Sequence, residues 1–395
     1  MCKNELFLCL REHNSCVRKQ ISHIEHIFFL FERKILLLWT MDLGKNIRIK
    51  DIAKLAGVSV GTVDRVIHNR GRVSQEALQK VTSVMEQIDY KPNLIARTLG
   101  SNKNYRIAAI IPNPQQDPYW SKSNLGILQA QSEWTQYGIN IDLHVFDLFN
   151  KDSFRTTAQE AVATKPDGIV IAPIFYHEAL PVFELLKAEQ IPYVLFNTNI
   201  PEAAPLSFIG QNLFQSGKVA AQLLHFGQQN PGTFAVLHID EDIQDSLHLL
   251  EKEKGFREYF SSNGKAKFEI LAFNLNPKDV AFENQLTDLI NNENLKGIFV
   301  STSNGSAIAA SFLEKLGKKH IRLIGYDILE DNLKYLKAGT IDFLIHQNPK
   351  RQAFLGISHL VNHLMFKKST PQQELFPLEV ITEQNLGSYL SSGLH

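Results

Sequence analysis

The first chemistry this chain suggests is phosphate binding. Between Asn46 and Lys103 ten basic residues stand against five acidic ones, although the 395-residue chain as a whole is neutral. A local positive excess on a neutral body suits a polyanion. Inside that stretch Val60, Gly61, Asp64, Arg65 and His68 fall on one outward helical face. Arg65 can read O6 and N7 of a guanine, or simply meet a phosphate. Asp64 can accept from cytosine N4, or sit there because a helix N-terminus favours negative charge. Val60 offers only apolar contact, for example to a thymine methyl, and Gly61 offers a base edge nothing. Catalytic chemistry has no comparable pattern. There is no Gly-x-Ser-x-Gly, Walker lysine loop or His-Glu-x-x-His, and the fourteen histidines are scattered. The three cysteines all lie within the first sixteen residues without zinc-ligand spacing, so neither disulfides nor thiolate metal sites are expected beyond them, as suits a reducing cytoplasm.

The elements that must hold these residues are short helices. Ile52, Leu55 and Ala56 make one apolar face, and Gly57 ends that helix. Ser59 can cap a second helix carrying Val63, Val66 and Ile67 inward. "NRGR" (Asn69 to Arg72) supplies a loop, and Ser74 caps a third helix with the stripe Leu78, Val81, Met85 and Ile88. Two helices joined by a tight glycine turn, with a third behind them, form a helix-turn-helix, or else a small bundle without a nucleic-acid role. Pro92 then stops the third helix, and Leu94 to Leu99 can make under two turns before Gly100. So short a helix is marginal alone and needs a partner, either a second subunit or DNA.

Beyond this region the chain changes character. Hydrophobic residues are 44% and charged ones 21%, enough to bury two or three domain cores. "RIAAIIP", "INIDLHVF", "DGIVIAP" and "IPYVLFN" read as buried strands between helices such as Asn124 to Tyr137 and Asp152 to Thr164. "TFAVLHI", "FEILAFN", "KGIFVST", "IRLIGYD" and "IDFLIHQ" make a second series. This alternation predicts an α/β fold of two lobes, each a doubly wound parallel sheet, with a cleft at the strand C-terminal ends. At the other end of the chain, "HIFFLFERKILLLW" (His26 to Trp39) is broken by Glu32, Arg33 and Lys34 and reads as neither a transmembrane helix nor a secretory signal. The ordered pattern begins after Met41, which reads as the physiological start, and residues 1–45 are set aside as an extension.

"IKDIAKLAGVSVGTVDRVI", followed by "DYKPNLIARTL", resembles the headpiece and hinge of the LacI/GalR family of bacterial transcription regulators across roughly residues 47–100. The resemblance implies an all-α helix-turn-helix domain at 46–92 and a hinge helix and linker at 93–104. It further implies that Val60, Gly61 and Arg65 read the major groove while Thr62 contacts phosphate. His68, Asn69, Arg72, Tyr90, Asn93 and Ala96 complete the DNA-facing set. Leu99 takes the place of a family leucine that wedges into the minor groove and kinks the duplex. Val60 and Gly61 depart from the larger polar residues common there, which shifts weight to Arg65, the hinge and DNA deformability.

The remainder, 105–395, resembles the type-I periplasmic sugar-binding fold, also the effector domain of that family, through "NPQQDPYW", "IGQNLFQSGKVAAQLL", "KGFREYF", "LIGYD" and "HQNPKRQAFLGI". The resemblance implies crossovers near Pro201, Gln347 and Pro377, with one lobe at about 105–200 and 348–376 and the other at about 201–347 and 377–395. A sugar calls for paired hydrogen bonds to adjacent hydroxyls and aromatic faces for its C–H surface. Candidates at strand ends are Asn113, Gln116, Asp117, Tyr119, Trp120, Phe175, Asn197, Asn304, Asp327 and Gln347, with Lys252 as the basic residue before the Gly-Phe turn. Asn197 stands where a family acid is frequent. The expectation is a cytoplasmic, homodimeric transcription regulator acting as a repressor, without cofactor or membrane partner. It binds palindromic double-stranded DNA under control of a small sugar-like effector. An enzyme or a sugar receptor with a DNA-binding arm is the alternative.

Overall fold

The computed structural model describes residues 48–67, 71, 73–88, 103–241, 243, 246–262 and 267–392. The chain divides into two units, up to Asn93 and from Leu94 onward. Seven expected DNA-facing residues, His68, Asn69, Arg72, Tyr90, Asn93, Ala96 and Leu99, lie outside the described residues, as does the 1–45 extension.

The first unit contains α1 (Ile49–Ala56), α2 (Val60–Ile67) and α3 (Gln75–Gln87). Gly57 closes α1 at φ +66°, a left-handed conformation that costs glycine little. The Ser59 hydroxyl accepts from Thr62 N–H at 3.1 Å and starts α2. The Ser74 hydroxyl does the same for α3 through Ala77 N–H. Ile52, Ala53, Ala56, Val63 and Val81 form the buried core, flanked by Val66, Ile67, Met85 and Ile88. The apolar stripes differ from expectation at two positions. Leu55 is 62% exposed and Leu78 is 43% exposed. On α1 the buried face takes in Ala53 in place of Leu55, beside the expected Ile52 and Ala56.

The second unit builds two sheets of identical order. In chain order its elements are β1 (Tyr105–Pro112), α4 (Pro118–Trp134), β2 (Ile139–Phe146), α5 (Lys151–Ala163), β3 (Gly168–Ile171), α6 (Tyr176–Ala188), β4 (Tyr193–Phe196) and β5 (Ser207–Gly210). Then come α7 (Leu213–His225), β6 (Gly232–Ile239), α8 (Leu247–Ser261), β7 (Phe268–Leu275), α9 (Phe282–Asn291), β8 (Leu295–Val300), α10 (Gly305–Lys315), β9 (Arg322–Tyr326), α11 (Glu330–Lys337) and β10 (Phe343–His346). The chain ends with α12 (Pro349–Phe366), β11 (Gln373–Leu375), β12 (Glu379–Ile381) and α13 (Leu386–Ser392). The sheets run β11-β5-β4-β3-β1-β2 and β12-β10-β9-β8-β6-β7. All pairings are parallel except β10 with β12. The apolar runs of β1, β3, β4, β6 and β8 are buried on both faces, as parallel strands between helical layers must be.

One boundary differs from the sequence reading. "SFIG" forms β5 in the first sheet, so the chain crosses at Gln211 rather than near Pro201. The other crossings lie at Gln347–Asn348 and between Leu375 and Glu379. A single amide ties all three. Gln211 Nε2 donates to the carbonyls of His346 and Pro377, each at 2.9 Å.

Helices α7 and α8 touch backbone to backbone. A Cβ on Gly217 would lie 1.9 Å from the Lys252 carbonyl, and one on Gly255 the same distance from the Phe214 carbonyl. Neither neighbour is a movable side chain, so an added methyl must force the helices apart. Gly217→Ala and Gly255→Ala are each expected to cost about 1–3 kcal/mol in urea unfolding. Gly387→Ala in α13, where the added Cβ meets nothing within 4 Å, should be neutral or slightly stabilising.

Candidate functional site

The first unit presents the outer face of α2. Val60 is 51% exposed, Gly61 and Arg65 are exposed, and Thr62 and Asp64 are partly covered. Thr62 Oγ1 lies 2.9 Å from Ser59 Oγ, within the cap. A Cβ on Gly61 would fall 3.8 Å from Arg65 Nη2, so the missing side chain leaves the guanidinium an unobstructed approach along the helix. The face can therefore present one planar cation, an apolar residue beside it and a hydroxyl at the helix start.

In the second unit, side chains from both lobes converge at the strand C-terminal ends. Asp117, Tyr119, Trp120 and Asn197 come from the first lobe. Glu241, His248, Lys252, Ser301, Thr302, Ser303 and Gln347 come from the second lobe and its crossing. The Asp117 carboxylate caps α4, accepting from Tyr119 N–H at 2.7 Å, and Pro118 sits comfortably in the first turn. This start turns Tyr119 and Trp120 into the cleft, where their rings meet edge to face at 4.9 Å. Asn197 Nδ2 donates to the Tyr119 hydroxyl at 2.7 Å, while its backbone N–H donates to Gln352 Oε1 at 3.0 Å. Gln352 Nε2 in turn donates to the Gln347 carbonyl at 2.8 Å, binding the two lobes' strand ends through α12.

Asp327 is fully buried and organises its neighbours. It accepts from Gln347 N–H at 2.8 Å, Gln347 Nε2 at 2.7 Å and the Ser303 hydroxyl at 2.6 Å. Burial alone would raise its pKa, but adjacent His346 and the hydrogen bonds from Ser303 and Gln347 hold it below the usual carboxylate value. Lys252 is 2% exposed; its Nζ donates to the Ser301 carbonyl at 2.8 Å and lies 3.7 Å over the Tyr326 ring. Burial lowers its pKa to about 8, against the opposing pull of Asp327 and Glu241. Burial alone would raise the Glu241 carboxyl, but His248, paired with it at 2.9 Å, holds it below the usual carboxylate value. Behind the wall, His238 bridges Ser301 Oγ and Glu253 Oε2, each at 2.7 Å, and the Ser301 hydroxyl also reaches the Leu237 carbonyl at 3.2 Å. The free space at this inner point is about 30 Å³, room for a water molecule or two. An adjoining cavity of about 420 Å³, sharing Glu241, is lined by Phe149, Phe175, Asp240, Asn274 and Asp279.

Of the expected ligand residues, Asp117, Tyr119, Trp120, Asn197, Lys252 and Gln347 meet at the inner point, with Asp327 directly behind Gln347. Phe175 lines the outer cavity. Asn304 faces a separate cavity with Gln115, Lys122 and Asp331. Asn113 and Gln116 are turned elsewhere. The Asn113 side chain accepts from Gln115 N–H, and Gln116 clamps the loop after β2 through Asp147 and Leu148. Sequence reading passed over Glu241, His248 and Ser301 to Ser303. Their signal was position alone: "DE" follows the β6 run and "STS" follows that of β8.

Comparison with known proteins agrees with both units. A model described as "Periplasmic binding protein domain" matches residues 107–368, and one described as "Bacterial regulatory proteins, lacI family" matches residues 48–93. A crystal structure described as that of a LacI transcriptional regulator from Bacteroides fragilis is 30% identical, with a TM-score of 0.68 over 73% of this chain and 100% of that one. The chain belongs to the lacI family of bacterial regulatory proteins. The sucrose operon repressor of Streptococcus mutans is 26% identical over 358 residues, 86% of this chain and 99% of that protein. The regulator MalR of Streptococcus pneumoniae is 31% identical over 164 residues, 40% of this chain and 48% of its own. A solute-binding protein from Burkholderia graminis in complex with D-arabinose shares the fold, at 21% identity and a TM-score of 0.65 over 73% of this chain. This LacI-family chain is thus a DNA-binding transcription regulator with a periplasmic-binding-protein-like body. Among its described residues no helix is long and apolar enough to cross a membrane.

The cleft carries an electrostatic cost that pH should expose. Burial pushes the Asp117 carboxyl up to about 7, reinforced by Glu241, Asp327 and Asp240 and opposed by its hydrogen bond from Tyr119 N–H. An acid whose pKa is raised on folding destabilises the native state as pH climbs from its unfolded value of about 4 through 7. Asparagine keeps the cap without the charge. Asp117→Asn should therefore match the parent in thermal melts at pH 4 and exceed its stability at pH 8.

Proposed function

We propose that this regulator is a repressor that binds a palindromic operator as a homodimer, its affinity set by a small sugar or sugar-like effector held between the lobes. The observation that carries this reading is the convergence of Asp117, Tyr119, Trp120, Asn197, Lys252 and Gln347 from two lobes, in a chain that also exposes Arg65 on α2. Amides and a carboxylate can bond adjacent hydroxyls in pairs, and Tyr119 and Trp120 supply apolar faces. A relative named for the sucrose operon and a structural neighbour holding D-arabinose support a sugar. The arrangement suits binding and release rather than turnover. Ser301 is fully buried, and its hydroxyl is already engaged by His238 and the Leu237 carbonyl.

One headpiece makes few base contacts, so useful affinity calls for two half-sites related by a dyad. Hinge residues Tyr90, Asn93, Ala96 and Leu99 complete the proposed DNA contacts on the family pattern. The test is a DNA-binding titration on operators selected from a random pool, with and without a panel of sugars. Arg65→Ala is expected to cost about 1–3 kcal/mol and to relax preference at one position per half-site. A loss equal on all sequences would make Arg65 a phosphate contact instead.

The same titration tests the cleft. Asn197→Ala and Gln347→Ala should abolish the response to the active sugar while operator affinity without sugar stays within about threefold, roughly 0.7 kcal/mol. Folded variants that respond normally would show that the effector binds elsewhere.

A further inference from the structure

The charge on the cleft wall restricts the effector more tightly than its shape does. Building on the sugar reading above, we propose that the effector carries no anionic group: the site takes neutral or amino sugars and rejects uronates and sugar phosphates. Asp117 and Glu241 line the inner point, Asp240 lines the adjoining cavity, and Asp327 lies directly behind Gln347. Asp117 comes from the first lobe, and Asp240, Glu241 and Asp327 follow β6 and β9 of the second.

Against them, Lys252 is the one Lys or Arg among the described residues lining the inner point. It is already committed, giving a hydrogen to the Ser301 carbonyl and stacking over Tyr326. The Nε2 of His248 is likewise held by Glu241 at 2.9 Å, which leaves its buried Nδ1 as the one imidazole nitrogen of that pair without a partner. The first turn of α4 would ordinarily attract an anion. Here the Asp117 carboxylate fills it, accepting from Tyr119 N–H. The adjoining cavity adds Asp279 to Asp240 and Glu241, with Lys151 on the same wall.

An entering carboxylate or phosphate would thus lie near several like charges, with no uncommitted lysine or arginine among the described residues lining the inner point to offset them. At the short separations inside a closed cleft each such pair is strongly unfavourable. That the wall already resists its own ionisation is visible at Asp117, pushed up to about 7 by burial and by Glu241, Asp327 and Asp240. Hydroxyls meet no such charge penalty, and Asn197, Gln347 and Ser303 are neutral groups that can exchange their internal hydrogen bonds for bonds to them. An ammonium group would gain charge-assisted hydrogen bonds from the same wall.

The test is calorimetric titration of the full-length protein with sets of sugars that share a ring and differ in the charge of one substituent. One set is glucose, glucosamine, glucuronate and glucose 6-phosphate, with fructose, sucrose and maltose beside their phosphates. In whichever set binds, the neutral or amino member should bind at least about a hundredfold tighter than the anionic member. Glu241→Gln, verified as folded by its melting curve, should narrow that gap about tenfold. An anionic member binding as tightly as its neutral parent overturns the charge inference and leaves the sugar reading standing. If no member of any set binds, the sugar reading itself falls, and this inference with it.

Discussion

The side-chain amide of Gln211 is where the two lobes are joined. Three chain segments cross between the sheets, and its Nε2 donates to the carbonyls of His346 and Pro377 while its own backbone forms the third crossing. A buried amide giving two hydrogens is costly to remove, since both carbonyls would be left without partners. What depends on it is the whole inner site. His346 precedes Gln347, whose amide and backbone both address Asp327, and Gln347's carbonyl holds Gln352, which holds Asn197. Any lobe motion must pivot near this amide, so the residues closest to the pivot move least. That is a suitable place for groups that must keep their mutual geometry as the cleft opens and closes.

A second constraint acts at the strand ends. Asn197, Asp240, Asp327 and Asn348 adopt φ values of +69°, +69°, +64° and +56°. Left-handed backbone is unfavourable for most side chains, and Asn and Asp tolerate it best. In each case the residue directly or closely follows a strand, and the sharp turn directs a short polar group to the C-terminal edge of its sheet. Local strain and polar recognition thus coincide at these positions. The sequence showed this as "FN", "ID", "YD" and "QN" closing apolar runs, which is why Asn197, Asp327 and Gln347 could be picked out before the fold was known.

Much of the architecture was legible for the same reason. Buried parallel strands must be apolar on both faces, and seven of the nine runs picked out have that character, the half-exposed edge strands β2 and β7 alternating instead. The three strands that escaped, β5, β11 and β12, have four, three and three residues. β11 and β12 are sheet edges with few buried side chains, so no periodicity marks them, whereas β5 is wholly buried but only four residues long. Missing β5 moved the first crossing to Pro201. In the headpiece, the helices were legible from caps and Gly57, but the choice of Ala53 over Leu55 for burial depended on how closely three helices approach. The same limit applied to Gln116 and Asn113. Both have the right chemistry at the right strand end, and only tertiary structure shows the Gln116 amide committed to Asp147 and Leu148.

The inner point leaves about 30 Å³ free, and its polar groups are paired with each other within each lobe, Asn197 with Tyr119 in the first and Gln347 with Asp327 in the second. A sugar ring cannot enter without parting some of these pairs, so binding exchanges internal hydrogen bonds for bonds to the ligand. Such exchanges yield little net energy per bond. Affinity must then come from shape, from the aromatic pair and from the lobe arrangement that the ligand favours. An effector that favours one arrangement shifts the population by its differential affinity alone. By linkage, a ligand that weakens operator binding must itself bind more weakly to the operator-bound protein, by the same factor. Because these groups keep their own partners without a ligand, the net gain from each bond to the effector is modest. Tight control of the operator then requires many small contributions distributed over both lobes, which is what residues drawn from β1, β4, β6, β8, β9 and β10 supply.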